Sequence, residues 1–359
     1  MAKNSRVCTA LVLFLAGAGP ALPWGCRGHE AVALIAFQFM KPENVAATNA
    51  LLEKYPIELT LSCTHLDGLA TGVKEATWAD DYRFKDEKTA EWHFIDVPLN
   101  DPVPSDTSGL CAKGCVNQAL MDQIKVFQGD HDSVAAANAI RFIIHLVGDA
   151  HQPLHDTTNN DRGGNCIPTA FLKTKTKLNT KENSYDPELH SVWDKYIIDS
   201  QAKQGASAFA DSLWSNITDA QRTQWSAFDI NVNQQALILS WITDSHSEAL
   251  MVSYANLVSG KHHTKVDAAK IAGPDNLAAC TDDNFQTKMA KKNIQVTTAY
   301  VNAALPVIQM QLEEAGIRLG RILDQLWSAP ATPPSARVKP AIPGLRPTPA
   351  EGFLQTAFR

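Results

Sequence analysis

The chain has 359 residues, 45% of them hydrophobic and 19% charged, so it can bury a large core, and its formal charge is −6. An acidic balance excludes the broad basic surface that holds duplex DNA by charge alone, so any nucleic-acid role needs a local anion site. Beyond the N-terminus no apolar run is long enough to span a bilayer, and no stable membrane anchor is expected.

Residues 1–23, MAKNSRVCTALVLFLAGAGPALP, carry Lys3 and Arg6, then an apolar stretch to Ala18, then small residues, which is the pattern of a secretory signal peptide. Cleavage before Trp24 leaves Pro23 where a small residue is the rule; cleavage after Ala21 with later loss of Leu22 and Pro23 is the alternative. Either route removes two positive charges and takes the formal charge from −6 to −8. Six cysteines then remain, at 26, 63, 111, 115, 166 and 280, an even number in an exported chain and so candidates for disulfides. Proximity pairs only Cys111 with Cys115, and the other pairings stay open. A zinc–thiolate site is disfavoured because there is no second close cysteine pair.

The mature chain is dominated by apolar residues spaced three and four apart. HEAVALIAFQFM, ENVAATNALLEKY, QALMDQIKVF, AANAIRFIIHLV, ELHSVWDKYIID, NQQALILSWITDSHSEALMVSYANLV and the stretch from Asn293 to Trp327 all show it. The expectation is a mainly α fold, a single multi-helix domain over residues 24–328 with long loops at 97–110 and 156–165. Pro306 should kink or divide the last helix. The only strand candidate is the Lys/Thr stretch from Ile167 to Thr180, which fits a small β-hairpin rather than a core sheet. Seven prolines between Ala329 and Pro349 predict a disordered tail over residues 329–359.

The chemistry concentrates in HLVGDAHQPLH, His145 to His155. On a helix His145 and Asp149 lie one turn apart on one face, where two ligands can meet a metal. A single pair of this kind is as readily a core histidine with a carboxylate partner. PELHSVWD repeats the spacing with His190 and Asp194, with Pro187 near the helix start. Asp80 in WADDYR, His93 in EWHFIDVP and His29, five residues after Trp24 in WGCRGHE, add to the set. Imidazoles and carboxylates without paired cysteines suit zinc sites that keep a water.

In this order WGCRGH, WAD, HFIDVP, HLVGDAHQPLH, RGGN and LHSVWD resemble the zinc-dependent single-strand nucleases of the S-one/P-one type, within the phospholipase C/nuclease superfamily. The resemblance runs through nearly the whole mature chain and implies a trinuclear zinc cleft. The amine and carbonyl of Trp24 with His29 and Asp149 would hold one Zn²⁺. Asp80, His93, His145 and a bridging Asp149 would hold the second, and His155, His190 and Asp194 the third. Pro153 would end the helix so that His155 turns toward the third ion. His151, His65, His131, His246, His262 and His263 are left without a ligand role.

The resemblance further implies hydrolysis of single-stranded DNA and RNA to 5′-phosphate products, and of 3′-nucleotides, by a hydroxide shared between two zincs. Arg83 would neutralise transition-state charge beside the catalytic carboxylates Asp80 and Asp149. Phe94 and Asp96 would form a base pocket, and Asn165 would position a loop beside the cleft. Cys166 stands where the family often has glycine, and KTKTKLNTKENSYDPE is a longer charged insertion before His190. A secreted monomer is expected. Zinc-dependent phospholipase C is an alternative that fits less well, since it has a longer step from Trp to His and Glu in place of Asp194. An inactive secreted zinc-binding protein is another, opposed by nine intact ligand positions and Arg83.

Overall fold

The computed structural model describes residues 24–63, 68–180, 183–275 and 277–329. The proposed signal peptide, the proline-rich tail beyond Ala329 and His65 lie outside the described residues. Thirteen α-helices are described: α1 Gly25–Phe39, α2 Pro42–Lys54, α3 Thr71–Lys74, α4 Trp78–Tyr82, α5 Val116–Gly129, α6 Val134–Asp149, α7 Leu189–Ser191, α8 Ile197–Gln201, α9 Ala206–Asn216, α10 Asp219–Trp225, α11 Gln234–Glu248, α12 Phe285–Lys291 and α13 Thr298–Ser328. The mainly α expectation holds. No helix among the described residues is long and apolar enough to cross a membrane.

α1 and α6 form the inner layer and bring the motifs together. α6 starts where the Ser133 hydroxyl accepts from Ala136 N at 3.1 Å, and nearly all of it is buried from Ala136 to Asp149. α1 packs on α13, α9 and α6. Gly316 and Gly320, one turn apart on α13, let the two helices close: a Cβ on Gly320 would lie 2.8 Å from the Ala36 carbonyl oxygen. The interface buries Val32, Ile35 and Ala36 completely, worth roughly 1.5–3 kcal/mol for each large side chain.

α13 runs unbroken from Thr298 to Ser328 through Pro306, so the expected division does not occur. Pro306 and Asn302, whose carbonyl loses its donor to the proline ring, are both on the exposed face, where solvent can satisfy that carbonyl. Apolar spacing extends the helical pattern back to Asn293, but Ile294–Val296 is a strand, and the helix begins only where the Thr297 hydroxyl caps Tyr300 N. The β-branched Ile294 and Val296, both buried, alternate with Gln295 in strand periodicity, which outweighs the helical pattern.

The β-structure exceeds the expected hairpin. Strands β1 (Thr169–Phe171), β6 (Ile294–Val296), β4 (Val258–Ser259) and β5 (Thr264–Lys265) form one sheet in that order, with β1 parallel to β6. A separate hairpin pairs β2 (Lys177–Asn179), within the expected Ile167–Thr180 stretch, with β3 (Ser184–Asp186), beyond it, both inside the charged insertion. Parallel pairing between residues over a hundred positions apart leaves no local turn signal, so nothing in the sequence marks the strand partner of β1.

Three disulfides join Cys26 to Cys63, Cys111 to Cys115 and Cys166 to Cys280. The Cys111–Cys115 expectation is met. The last bridge explains the cysteine after RGGN, since it ties that loop to the segment before α12. Its sequence separation is 114 residues, and closing a loop of that size stabilises by about 4–5 kcal/mol in the chain-entropy picture.

Candidate metal centre

α6 delivers His145 and Asp149, and ends there, with Ala150 as its C-cap. Pro153 therefore follows the helix end by four residues and shapes the turn after it. His155 comes out of that turn with Nδ1 2.8 Å from the His93 carbonyl oxygen. α1 delivers His29, the start of α4 delivers Asp80, and a 3-10 stretch Glu87–His93 ends on His93. His190 and Asp194 lie on a continuous helical segment: α7 passes through a π turn, Val192–Tyr196, into α8. A π turn inside a helix often marks a functional site.

These side chains converge in three buried groups: His29, His145 and Asp149; Asp80, His93 and His145; and His155, His190 and Asp194. Within each group one ligand atom per residue lies within 4.8 Å of the others. Asp149 is the hub, with carboxylate oxygens 3.0 Å from His93 Nδ1, 3.2 Å from His145 Nε2, 3.4 Å from His29 Nε2 and 3.6 Å from His155 Nδ1. His190 Nε2 is 3.1 Å from Asp194 Oδ2.

Trp24 joins the centre, since its backbone nitrogen is 3.2 Å from Asp194 Oδ1 and its indole Nε1 donates to the Gly148 carbonyl at 2.7 Å. Both Trp24 and Gly25 take left-handed backbone conformations, at φ 41° and 48°, to enter α1 from this position. Gly25 tolerates it because it has no Cβ.

The donor set fits metal ions. Both oxygens of Asp80, Asp149 Oδ1, Asp194 Oδ2, both nitrogens of His29, His93 Nε2 and His155 Nε2 are buried with no hydrogen-bond partner. Buried polar atoms are seldom left so, and a cluster of them facing one another is what bound cations would satisfy. Carbonyl groups orient several rings from behind: Ala76 holds His145 Nδ1 at 2.8 Å and Gly163 holds His190 Nδ1 at 2.7 Å. Each contact fixes a tautomer and aims the other ring nitrogen inward.

Without cations, protons must balance this centre. Burial pushes the Asp80 carboxyl up to about 7, and burial with the neighbouring His145 takes His29 down to about 4. Burial takes His93 down to about 3. At His145 burial is outweighed by Asp149 and Asp80, which lift the ring to about 9; at His190 it is outweighed by Asp194 and Glu188, again to about 9. Asp149 is held well below the usual range: His145, His29 and His93 overcome its burial.

The remaining expected residues lie around the centre. Arg83 follows α4 and has Nη1 3.8 Å from Asp80 Oδ1, its side chain only 10% exposed. It is therefore not a free surface arginine. Phe94 is half-buried next to His93, and Asp96 is exposed two residues further on. The surrounding protein, with Glu91, pushes the Asp96 carboxyl up to about 6, while Arg162 and His190 pull it down. Asn165 bonds inside its own loop, its amide donating to the Arg162 carbonyl at 2.8 Å, beside the Gly163 whose carbonyl holds His190.

His151 also stays out. Its Nδ1 meets the Val147 carbonyl at 2.7 Å and its Nε2 meets Arg318 Nη1 at 2.7 Å, so both nitrogens are occupied away from the cluster. His246 is held by Thr157 Oγ1 and the Asp101 carbonyl, and His131 stacks on Phe127. Gln152 touches the centre and sequence reasoning misses it: its amide donates to Asp194 Oδ1 at 2.5 Å while its carbonyl accepts from Leu154 N at 2.5 Å. Its place between His151 and Pro153 is the available signal, but an uncharged amide gives no hint of steering a carboxylate.

A family model described as S1/P1 Nuclease matches residues 24–328. The chain is 26% identical over 314 residues to "Nuclease P1" of Penicillium citrinum, covering 84% of this chain and 97% of that protein. It is 25% identical over 328 residues to "Endonuclease 4" of Arabidopsis thaliana, covering 86% and 91%, and 25% identical over 322 residues to "Nuclease S1" of Aspergillus oryzae, covering 86% and 93%. With three His/Asp groups gathered in a mainly helical fold and a family match over nearly all the described residues, the chain belongs to the S1/P1 nuclease family.

Proposed function

We propose that this nuclease is exported, holds three zinc ions and hydrolyses single-stranded DNA and RNA to 5′-phosphate products, and that it removes phosphate from 3′-nucleotides at the same centre. The observation that carries the proposal is the convergence of three buried imidazole–carboxylate groups in which Asp80, Asp149 Oδ1, Asp194 Oδ2, His29, His93 Nε2 and His155 Nε2 are buried without hydrogen-bond partners. Trp24, His29 and Asp149 hold one ion; Asp80, His93, His145 and Asp149 the second; His155, His190 and Asp194 the third. His145 falls in two of the geometric groups, but the Ala76 carbonyl occupies its Nδ1, so it has one nitrogen for one ion. Removal of residues 1–23 turns the Trp24 nitrogen into an amine within the cluster, and three disulfides suit an oxidising compartment.

Bound zinc supplies Lewis-acid stabilisation of the phosphoryl oxygens and lowers the pKa of water toward neutrality. The chain's own groups do the rest. Arg83 keeps a cation beside Asp80 for the charge that develops on phosphorus oxygens. Phe94 offers a ring face and Asp96 a polar edge to an unstacked base, which a single strand presents and a duplex does not. The test is a substrate panel with protein beginning at Trp24: single-stranded DNA, RNA, duplex DNA, a 3′-nucleotide and phosphatidylcholine. Cleavage of the single strands to 5′-phosphate ends is expected. Phosphatidylcholine hydrolysis without nucleic-acid cleavage overturns the reading.

A further inference from the structure

Away from the metal centre, residues 258–266 (VSGKHHTKV) and 284–296 (NFQTKMAKKNIQV) contain five lysines and two histidines and no acidic residue, in a chain of net charge −6. The sheet joins the two segments. Ser259 of β4 lies opposite Ile294 of β6, Gly260 N donates to the Asn293 carbonyl at 3.1 Å, and Gln295 Nε2 donates to the Gly260 carbonyl at 3.2 Å. The β4–β5 turn with Lys261, His262 and His263 therefore comes to the same end of the sheet as Lys291 and Lys292, which lead into β6. Lys265 stands on the edge strand β5, and Lys288 is one turn back on α12.

All five lysines are exposed. The lysine ion pairs of the described residues are Lys54–Asp132 and Lys85–Glu58, both elsewhere. Lys288 and Lys291 in the last turn of α12 would complement its dipole, but no dipole accounts for Lys261 and Lys265 on a hairpin. The sheet is anchored to the metal-bearing wall: β1 begins three residues after Cys166, in the loop whose Gly163 carbonyl holds His190, and Cys166–Cys280 ties that loop to the segment before α12.

We propose that this lysine edge is an exosite for the phosphodiester backbone of the substrate strand, binding phosphates several nucleotides from the bond being cut. The inference rests on the nuclease reading above. Single ammonium groups spaced along a sheet edge bind phosphate without reading base identity, as a single-strand nuclease that must accept any sequence requires.

The test compares the native chain with a Lys261→Gln, Lys291→Gln, Lys292→Gln variant, each also in an Asp149→Asn background for binding measurements. A fluorescent 30-nucleotide single strand, followed by anisotropy across a salt series, is expected to bind the lysine variant about ten-fold more weakly at low salt. Its salt slope should be shallower by about two, at roughly 0.7 for each phosphate no longer neutralised. Hydrolysis of a dinucleotide, too short to reach the edge, should be unchanged in kcat and KM. Equal affinity and equal salt slope overturn the exosite. Absence of dinucleotide and strand hydrolysis by the native enzyme instead overturns the nuclease reading, and the binding arm still decides the exosite.

Discussion

Asp149 has four imidazoles within 3.6 Å, more than any other carboxylate of the centre. Asp149→Asn keeps the shape but gives up the charge that offsets cations, so activity should be lost along with at least one bound zinc, read by metal analysis of the folded variant. His151, two residues on, is buried, and Arg318 and the Val147 carbonyl take both its nitrogens. His151→Ala should cost about 2 kcal/mol of stability through weaker packing and missing hydrogen bonds, yet keep its zinc and most of its activity; a folded, zinc-depleted variant would contradict the assignment. Protons give a second test at this scale. The rings of His145 and His190 are raised from 6.5 to about 9, so in the metal-free protein they stabilise the fold below pH 6.5, and this is lost as pH rises through about 9. At pH 7.5 both rings then hold protons that a metal must displace. Zinc uptake should release about two protons from this pair, weakening as pH falls. Calorimetry in two buffers of different ionisation enthalpy measures it, and uptake with no proton release contradicts it.

At the scale of elements, the centre depends on how closely α1 and α6 approach. A Cβ on Gly148 would sit 2.9 Å from His29 Nδ1 and 3.1 Å from its Cε1. Gly148→Ala should therefore turn the His29 ring, lower zinc content by about one ion and cut activity on the order of 10–100-fold, while circular dichroism shows the helices intact. Full zinc content and activity would mean the ring can give way. The ligands are legible in the sequence because each His-x-x-x-Asp pair, at 145/149 and 190/194, repeats a helical turn and puts both side chains on one face. The elements that orient them are not. The Ala76 and Gly163 carbonyls act through backbone atoms that any residue has, and Gln152 acts through an amide with no spacing rule. The strands at 258–259, 264–265 and 294–296 are two or three residues long, and β1 and β4 reach β6 only across the chain, so too few residues alternate to stand out from the helical spacing around them. Pro306 breaks no helix because the carbonyl it deprives of a donor faces solvent.

At the scale of the molecule, acidic overall charge and a nucleic-acid substrate are compatible because charge is distributed unevenly. Two local features supply what the average lacks: a cluster of buried ligand atoms suited to cations, and a lysine-rich sheet edge outside it. The disulfides hold this arrangement at its edges, with Cys26–Cys63 beside the start of α1 and Cys166–Cys280 behind the loop that supports His190. The central claim is that one centre with three metals does the chemistry. It is tested most directly by stripping protein that begins at Trp24 with a chelator and titrating zinc back while following hydrolysis of single-stranded DNA. The account predicts no activity in the stripped protein and full activity only as the third equivalent binds; turnover by metal-free protein, or full activity at one equivalent with no further uptake, would contradict it.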